Sequence, residues 1–183
     1  MGRSERIVVP DGFYHVTTRG NRKEPIYFGK WSGRLFVRLL DRTSSRHGWR
    51  VVAYVLMRNH YHLVLQISDK GLSEGMCELN TQFAYRSNRA MARMDHLFGR
   101  RFWSRLIEEE DYLLEACRYV LLNPERAGAV LDARRWRFSS LAATQGTVPG
   151  PRCLDTGPLL SRFAGDVPLA RQRFWAFMQK GRF

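Results

Sequence analysis

The stretch Trp49-Arg50-Val51-Val52-Ala53-Tyr54-Val55-Leu56-Met57-Arg58-Asn59-His60-Tyr61-His62-Leu63-Val64-Leu65-Gln66-Ile67 decides the architecture. Trp49 to Leu56 and His60 to Ile67 are two strand-forming runs, and only Met57, Arg58 and Asn59 lie between them. Parallel neighbours need a crossover of about a dozen residues or more, so so short a connection predicts an antiparallel hairpin. Along the second strand, residues two apart face the same way. His60 and His62 therefore share one side and Tyr61 takes the other.

On the N-terminal side, Phe13-Tyr14-His15-Val16-Thr17-Thr18 is aromatic and β-branched, bounded by Asp11-Gly12 and Gly20-Asn21, and reads as another strand. Residues 31–47 place Leu35, Phe36, Leu39 and Leu40 at helical spacing, with Gly48 as the stop. On the C-terminal side, residues 72–93 predict a helix with Leu72, Met76, Leu79, Phe83 and Met91 along one side. An Arg-rich connection follows, Gly99-Arg100-Arg101-Phe102-Trp103. The acidic run Glu108-Glu109-Glu110-Asp111 suits the positive end of a helix dipole. That helix is expected to end at Leu122 or Asn123, before Pro124. Pro149, Gly150 and Pro151 mark a turn-rich break, and 168–180 reads as a last amphipathic helix. The order is that of an α+β fold with an antiparallel sheet. The glycine fingerprint of a doubly wound dinucleotide fold is missing.

At 183 residues, the chain predicts one domain, or one domain with a short appendage. Its 44% hydrophobic and 13% aromatic content supports a real core and excludes a disordered basic tail. Thirty Lys and Arg against seventeen Asp and Glu give a net +13. The excess sits at the ends: 11 basic and 4 acidic groups in residues 1–50, 10 and 11 in 51–133, 9 and 2 in 134–183. Two basic ends of +7 around a middle near −1 point to a polyanionic partner, most often nucleic acid. The skew toward Arg, 26 against 4 Lys, is also what GC-rich coding produces. No apolar run reaches the ~18 residues of a membrane span, and the first residues lack the apolar region of a secretory signal. Cys77, Cys117 and Cys153 are odd in number and far apart, giving neither a disulfide framework nor a metal knuckle. A reducing, cytoplasmic setting is the expectation.

Two imidazoles two apart on a strand can share one divalent ion. Taken alone the pattern is weak, but the apolar Leu63-Val64-Leu65 context means that buried histidines here need polar partners. Tyr119 and Asn123 lie four apart on one helical face, where a phenol could be a nucleophile beside a ligating carboxamide. Taken without the histidines, they read rather as a core aromatic and a cap before Pro124. His15, His47 and His96 stand isolated and are taken as surface or hydrogen-bonded residues. Cys117 is taken as a small core hydrophobe. Ser-hydrolase, P-loop and zinc-protease signatures are missing.

Four blocks in this order resemble the REP-associated tyrosine transposases, a branch of the HUH single-tyrosine transposases. They are Tyr14-His15-Val16 with Arg19-Gly20-Asn21; Ala53-Tyr54-Val55-Leu56-Met57 with Asn59-His60-Tyr61-His62-Leu63; His96-Leu97-Phe98 with Arg101-Phe102; and Arg118-Tyr119-Val120-Leu121-Leu122-Asn123-Pro124 with Arg126-Ala127-Gly128. Trp136-Arg137-Phe138-Ser139-Ser140 also matches, and Asp95 departs from the glycine that commonly precedes His96. The resemblance implies a ferredoxin-like core with the histidine strand near the sheet centre. It implies Mg²⁺ or Mn²⁺ on His60, His62 and Asn123, and Tyr119 as the nucleophile that cuts single-stranded DNA, held as hairpins of repeated palindromes. It implies a monomer or homodimer. Residues 1–133 are then the catalytic domain and 134–183 a basic, DNA-binding extension. The rivals are a domesticated nucleic-acid-binding protein without catalysis and a zinc hydrolase; the second leaves Tyr119 and the +13 charge without a role.

Overall fold

The computed structural model describes residues 9–68 and 71–180. In chain order these form β1 (Gly12–Arg19), α1 (Lys30–His47), β2 (Trp49–Leu56), β3 (His60–Ile67), α2 (Leu72–Ala90), β4 (Trp103–Ile107) and α3 (Glu110–Arg126). Three more helices follow, α4 (Leu141–Thr144), α5 (Gly157–Leu160) and α6 (Val167–Lys180). The sheet order is β2-β3-β1-β4, and every neighbouring pair is antiparallel. This is the split βαβ order of ferredoxin-like folds, with the histidine strand β3 on the inside.

The expected hairpin is present. Leu56 pairs with Tyr61 and Val55 with His62, and the Met57 N–H donates to the His60 carbonyl at 2.8 Å. Alternation along β3 splits its side chains between two cores. Tyr61, Leu63 and Leu65 pack with Phe36 and Leu40 of α1 and Met76 and Phe83 of α2. Val64 packs on the other face with Val120 and Leu121 of α3 and Phe174 and Met178 of α6. His60 and His62 belong to that second face, at the end where α3 crosses.

Three local expectations are corrected. The first helix does end at Gly48, in the left-handed conformation at φ 64°. The second, however, ends at Ala90 rather than 93: Ala92 turns to φ 50°, and Met91 is exposed instead of lining the apolar side. Trp103–Ile107 is an edge strand paired from Thr17↔Trp103 to Phe13↔Ile107, where only a connection was expected. Pro124 lies inside α3 rather than after it. The proline has no N–H to give the Val120 carbonyl, yet the Ala127 N–H still reaches the Asn123 carbonyl at 2.9 Å, and the helix closes three residues on.

The segment after α3 covers the free edge of β2. Trp136 Nε1 donates to the Leu56 carbonyl at 2.8 Å, the Leu56 N–H to the Phe138 carbonyl at 2.9 Å, and the Ser140 N–H to the Tyr54 carbonyl at 3.0 Å. Farther along, Val51 bridges Leu154 in parallel. An edge paired in this way offers no template to another chain.

Candidate active site

Cross-strand pairing assembles one wall of the site. Thr17 stands opposite His62 and Arg19 opposite His60, so His15, Thr17 and Arg19 of β1 line the same face as the two histidines. The other wall is α3. The Tyr119 ring lies 5.4 Å from that of His62 and 6.0 Å from that of His15, while Asn123 Oδ1 is 3.2 Å from His60 Nε2. His60 and His62 are thus brought together with Tyr119 and Asn123, 57 or more residues away in the sequence. Tyr119 is 41% exposed although its neighbours His62 and Asn123 are buried. Its ring edge meets the cleft, and the Arg126 guanidinium sits 5.6 Å from its centre. Over Tyr112, two turns earlier on the same face, the Arg105 guanidinium lies 4.7 Å from the ring centre and donates to the hydroxyl at 3.2 Å.

Hydrogen bonds fix which imidazole nitrogen is available. Asn59 Nδ2 donates to the Lys23 carbonyl at 3.0 Å, which turns Asn59 Oδ1 toward His60 Nδ1 at 2.8 Å. An amide oxygen only accepts, so His60 carries its hydrogen on Nδ1 and presents the Nε2 lone pair to Asn123 Oδ1. Two acceptors 3.2 Å apart repel unless they share a cation. Ligands at right angles around an octahedral divalent ion at ~2.1 Å stand about 3 Å apart, so the pair fits such an ion. No group of three His, Cys, Asp or Glu side chains among the described residues has metal-holding geometry, so an ion held by the two histidines would need an amide such as Asn123 as its third protein donor. On the other side, His62 Nδ1 and His15 Nε2 are 3.0 Å apart. With the Nδ1 hydrogen donated to His15, the Nε2 lone pair of His62 is left for a ligand role.

Burial keeps these rings neutral. Desolvation lowers His15 to about 4 and, with the nearby His15, His60 and Arg19, lowers His62 to about 3. His60 is lowered as well, chiefly by burial, while the Asn123 oxygen facing it favours the protonated ring and opposes the shift. Beside them opens a cleft of about 1050 Å³ whose rim carries Arg19, Arg22, Lys23, Arg100 and Arg101, with Trp103 half exposed. Arg22 and Lys23 sit at φ 50° and 62° in a tight turn after Gly20. A Cβ at Gly20 would stand 2.2 Å from the Glu24 carbonyl oxygen, so only glycine admits that turn.

The model of the "Transposase IS200 like" family matches residues 8–120, well over half of the chain. This chain belongs to the IS200-like transposase family. The match takes in His60, His62 and Tyr119; Asn123 lies three residues beyond it. A putative REP-associated tyrosine transposase of Haemophilus influenzae is 27% identical over 110 residues, 54% of this chain and 62% of that protein. This chain therefore aligns with less than two thirds of that relative. Among solved structures, a REP-associated tyrosine transposase bound to a REP hairpin superposes with a TM-score of 0.65 and 20% identity, over 85% of this chain and 93% of that one. The tRNA(His) guanylyltransferase of Saccharomyces cerevisiae follows at 0.51 and 6%, covering 96% and 81%. Both show a shared fold.

Of the isolated histidines, His47 bonds Glu78 Oε2 at 3.1 Å and His96 is exposed, as expected. His15 is hydrogen-bonded too, as expected, but it is not isolated: it is buried against His62 in the transposase cleft. Only the β1–β3 register places it there, and a single strand's sequence carries no register. Cys117 is fully buried in the α3 core, its thiol pushed up to about 12. No helix among the described residues is long and apolar enough to cross a membrane.

Proposed function

We propose that the protein cuts and rejoins single-stranded DNA at hairpins, with Tyr119 as nucleophile and a divalent ion, Mg²⁺ or Mn²⁺, held by His60, His62 and Asn123. The observation that carries this reading is the half-exposed Tyr119 ring against His62, one helical turn from the Asn123 oxygen that faces the His60 lone pair. The Tyr119 oxygen attacks phosphorus, the bond from phosphorus to the 3′ oxygen breaks, and the phenol's proton ends on that oxygen. The products are a 5′-phosphotyrosine and a free 3′-OH. Attack by a 3′-OH on the same phosphorus reverses the step and releases Tyr119, so joining needs no nucleotide cofactor.

A bound divalent ion would supply charge to the phosphate oxygens as negative charge builds up. A neutral set of two imidazoles and one amide leaves that charge undiminished. His15 and Asn59 hold the two rings in the tautomers this requires. The cations of the cleft rim hold phosphates on either side, and Trp103 offers a face to an unpaired base. The related structure that carries a REP hairpin supports a hairpin as the substrate.

Incubation with a labelled hairpin oligonucleotide and Mg²⁺ or Mn²⁺ tests this. Wild type should give a covalent adduct on a denaturing gel, and EDTA should abolish it. Tyr119→Phe should bind the hairpin and form no adduct, whereas Tyr112→Phe should retain it. An adduct mapped by mass spectrometry to any residue other than Tyr119 defeats the assignment.

A further inference from the structure

Helix α1 carries Arg34, Arg38, Arg42 and Arg46 at strict four-residue spacing, all exposed. Residues four apart are neighbours on a helix surface, and like charges at that spacing repel. Arg46 is relieved by Glu78 at 2.9 Å, but Arg34, Arg38 and Arg42 have no acidic partner within 4.0 Å among the described residues. The helix holds one acidic residue, Asp41, and its Oδ1 is engaged by the Cys153 N–H at 2.9 Å. Beyond the column, a second cavity of about 660 Å³ brings Arg38 and Arg42 together with Arg50 and Arg152. Of these, Arg50 alone approaches a carboxylate, Asp155 at 4.0 Å. Asp41 and Asp155 line that cavity too, so four arginines there face two carboxylates, and in the column Glu78 pairs with Arg46 alone.

This surface is separate from the cleft. α1 packs on the face of the sheet that holds Tyr61 and Leu63, and the histidines and Tyr119 lie on the other. The cavity residue Arg50 pairs with Gln66 near the far end of β3, six residues from His60. At ~1.5 Å rise per residue, the column climbs about 6 Å per arginine and about 18 Å from Arg34 to Arg46. The stripe winds by about 40° per arginine, and over its ~18 Å a duplex, with one charge per ~1.7 Å of axis, presents about ten phosphates to it. We infer that the α1 arginine column, continued by Arg50 and Arg152, is a second DNA surface that holds the paired stem of a hairpin by its phosphates. The inference rests on the hairpin reading above and adds to it where the stem goes.

The test compares a hairpin with an unstructured strand bearing the same unpaired flank, by fluorescence anisotropy across a salt series. Wild type should bind the hairpin more tightly and with the steeper salt slope. The triple variant Arg34→Gln, Arg38→Gln, Arg42→Gln should bring the hairpin down to the affinity of the strand. Its log–log salt slope should become shallower by about 2 to 3, at ~0.9 per duplex phosphate. Lys at the three positions should restore binding. The melting temperature of the glutamine variant should stay level or rise, because the repulsion is gone, so its loss of binding cannot be ascribed to unfolding. A hairpin slope equal to that of wild type overturns the inference, and an equal loss on both DNAs overturns the assignment to the stem. If wild type itself prefers neither DNA, the hairpin reading fails first, and the column's role falls with it.

Discussion

Asn59 is the side chain on which the tautomer of His60 depends, and its two ends do different work. Its oxygen accepts from His60 Nδ1 and its nitrogen donates to the Lys23 carbonyl in the basic turn. Asn59→Asp keeps the acceptor and loses the donor; Asn59→Ala loses both. Mn²⁺ affinity, measured by calorimetry in the absence of DNA, should fall about 10- to 100-fold in the alanine variant. It should stay near wild type in the aspartate variant, whose basic turn loses its tie instead. Equal losses in the two variants would show that Asn59 only fills space. The histidines also set a pH window for the metal-free protein. His15 and His62 titrate in the fold near 4 and 3, below the ~6.5 of an unfolded histidine, so protons bind the unfolded chain first. The stability they contribute is complete above ~6.5 and drains as pH falls through 6 and 5 toward 4. For His15 alone the full loss is on the order of 3 kcal/mol. Denaturant midpoints in EDTA should drop between pH 7 and 5, and His15→Gln should flatten the curve. A midpoint that holds from pH 7 to 5 in wild type contradicts this.

At the scale of elements, β4 is what a sequence reading misses most completely, and its end carries a half-exposed aromatic that lines the cleft. Trp103 stands half exposed at 5.6 Å from His15, edge to face, so its removal leaves the core intact. Trp103→Ala should weaken binding of an unstructured strand by about 1–3 kcal/mol, the worth of one stacked base, while the melting temperature moves little. Unchanged strand affinity by anisotropy would remove Trp103 from the DNA path. The strand was illegible because five residues with two arginine or serine positions show no alternation of their own; β1 imposes their pairing from outside. The hairpin β2–β3 was legible because its three-residue link leaves one topology. The face shared by His60 and His62, and that shared by Tyr119 and Asn123, followed from periods of 2 and 3.6 residues. His15 and Asn59 did not follow, since their roles depend on register and on a turn 36 residues away. Pro124 misled because a proline usually ends a helix, whereas α3 runs on to Arg126 with Asn123 already inside it.

For the whole molecule, the question is whether residues 134–183 can be treated as a separable basic arm. The fold ties them in at two places. Residues 136–140 pair with the edge of β2, and α5 and α6 bury Leu159, Leu160, Ala170, Phe174 and Met178 in the core beneath α3. These side chains touch the same cluster as Val120 and Leu121, one and two residues from Tyr119. Full burial contributes about 1.5–3 kcal/mol for each large apolar side chain. Deleting residues 150–183 removes four such side chains and Ala170, a loss of the same order as the ~5–15 kcal/mol that separates most folded domains from unfolding. The truncated chain should therefore lose its cooperative melt and near-ultraviolet dichroism, and its DNA affinity would then report unfolding rather than charge. Phe174→Ala alone should cost about 3–5 kcal/mol and lower the melting temperature while leaving every basic group in place. The contribution of the C-terminal charges is better read from Arg171→Gln and Arg173→Gln on exposed or half-buried positions of α6. If the truncated protein melted cooperatively at the wild-type temperature, residues 150–183 would be an appendage after all, and the core beneath α3 would have to close without Phe174 and Met178.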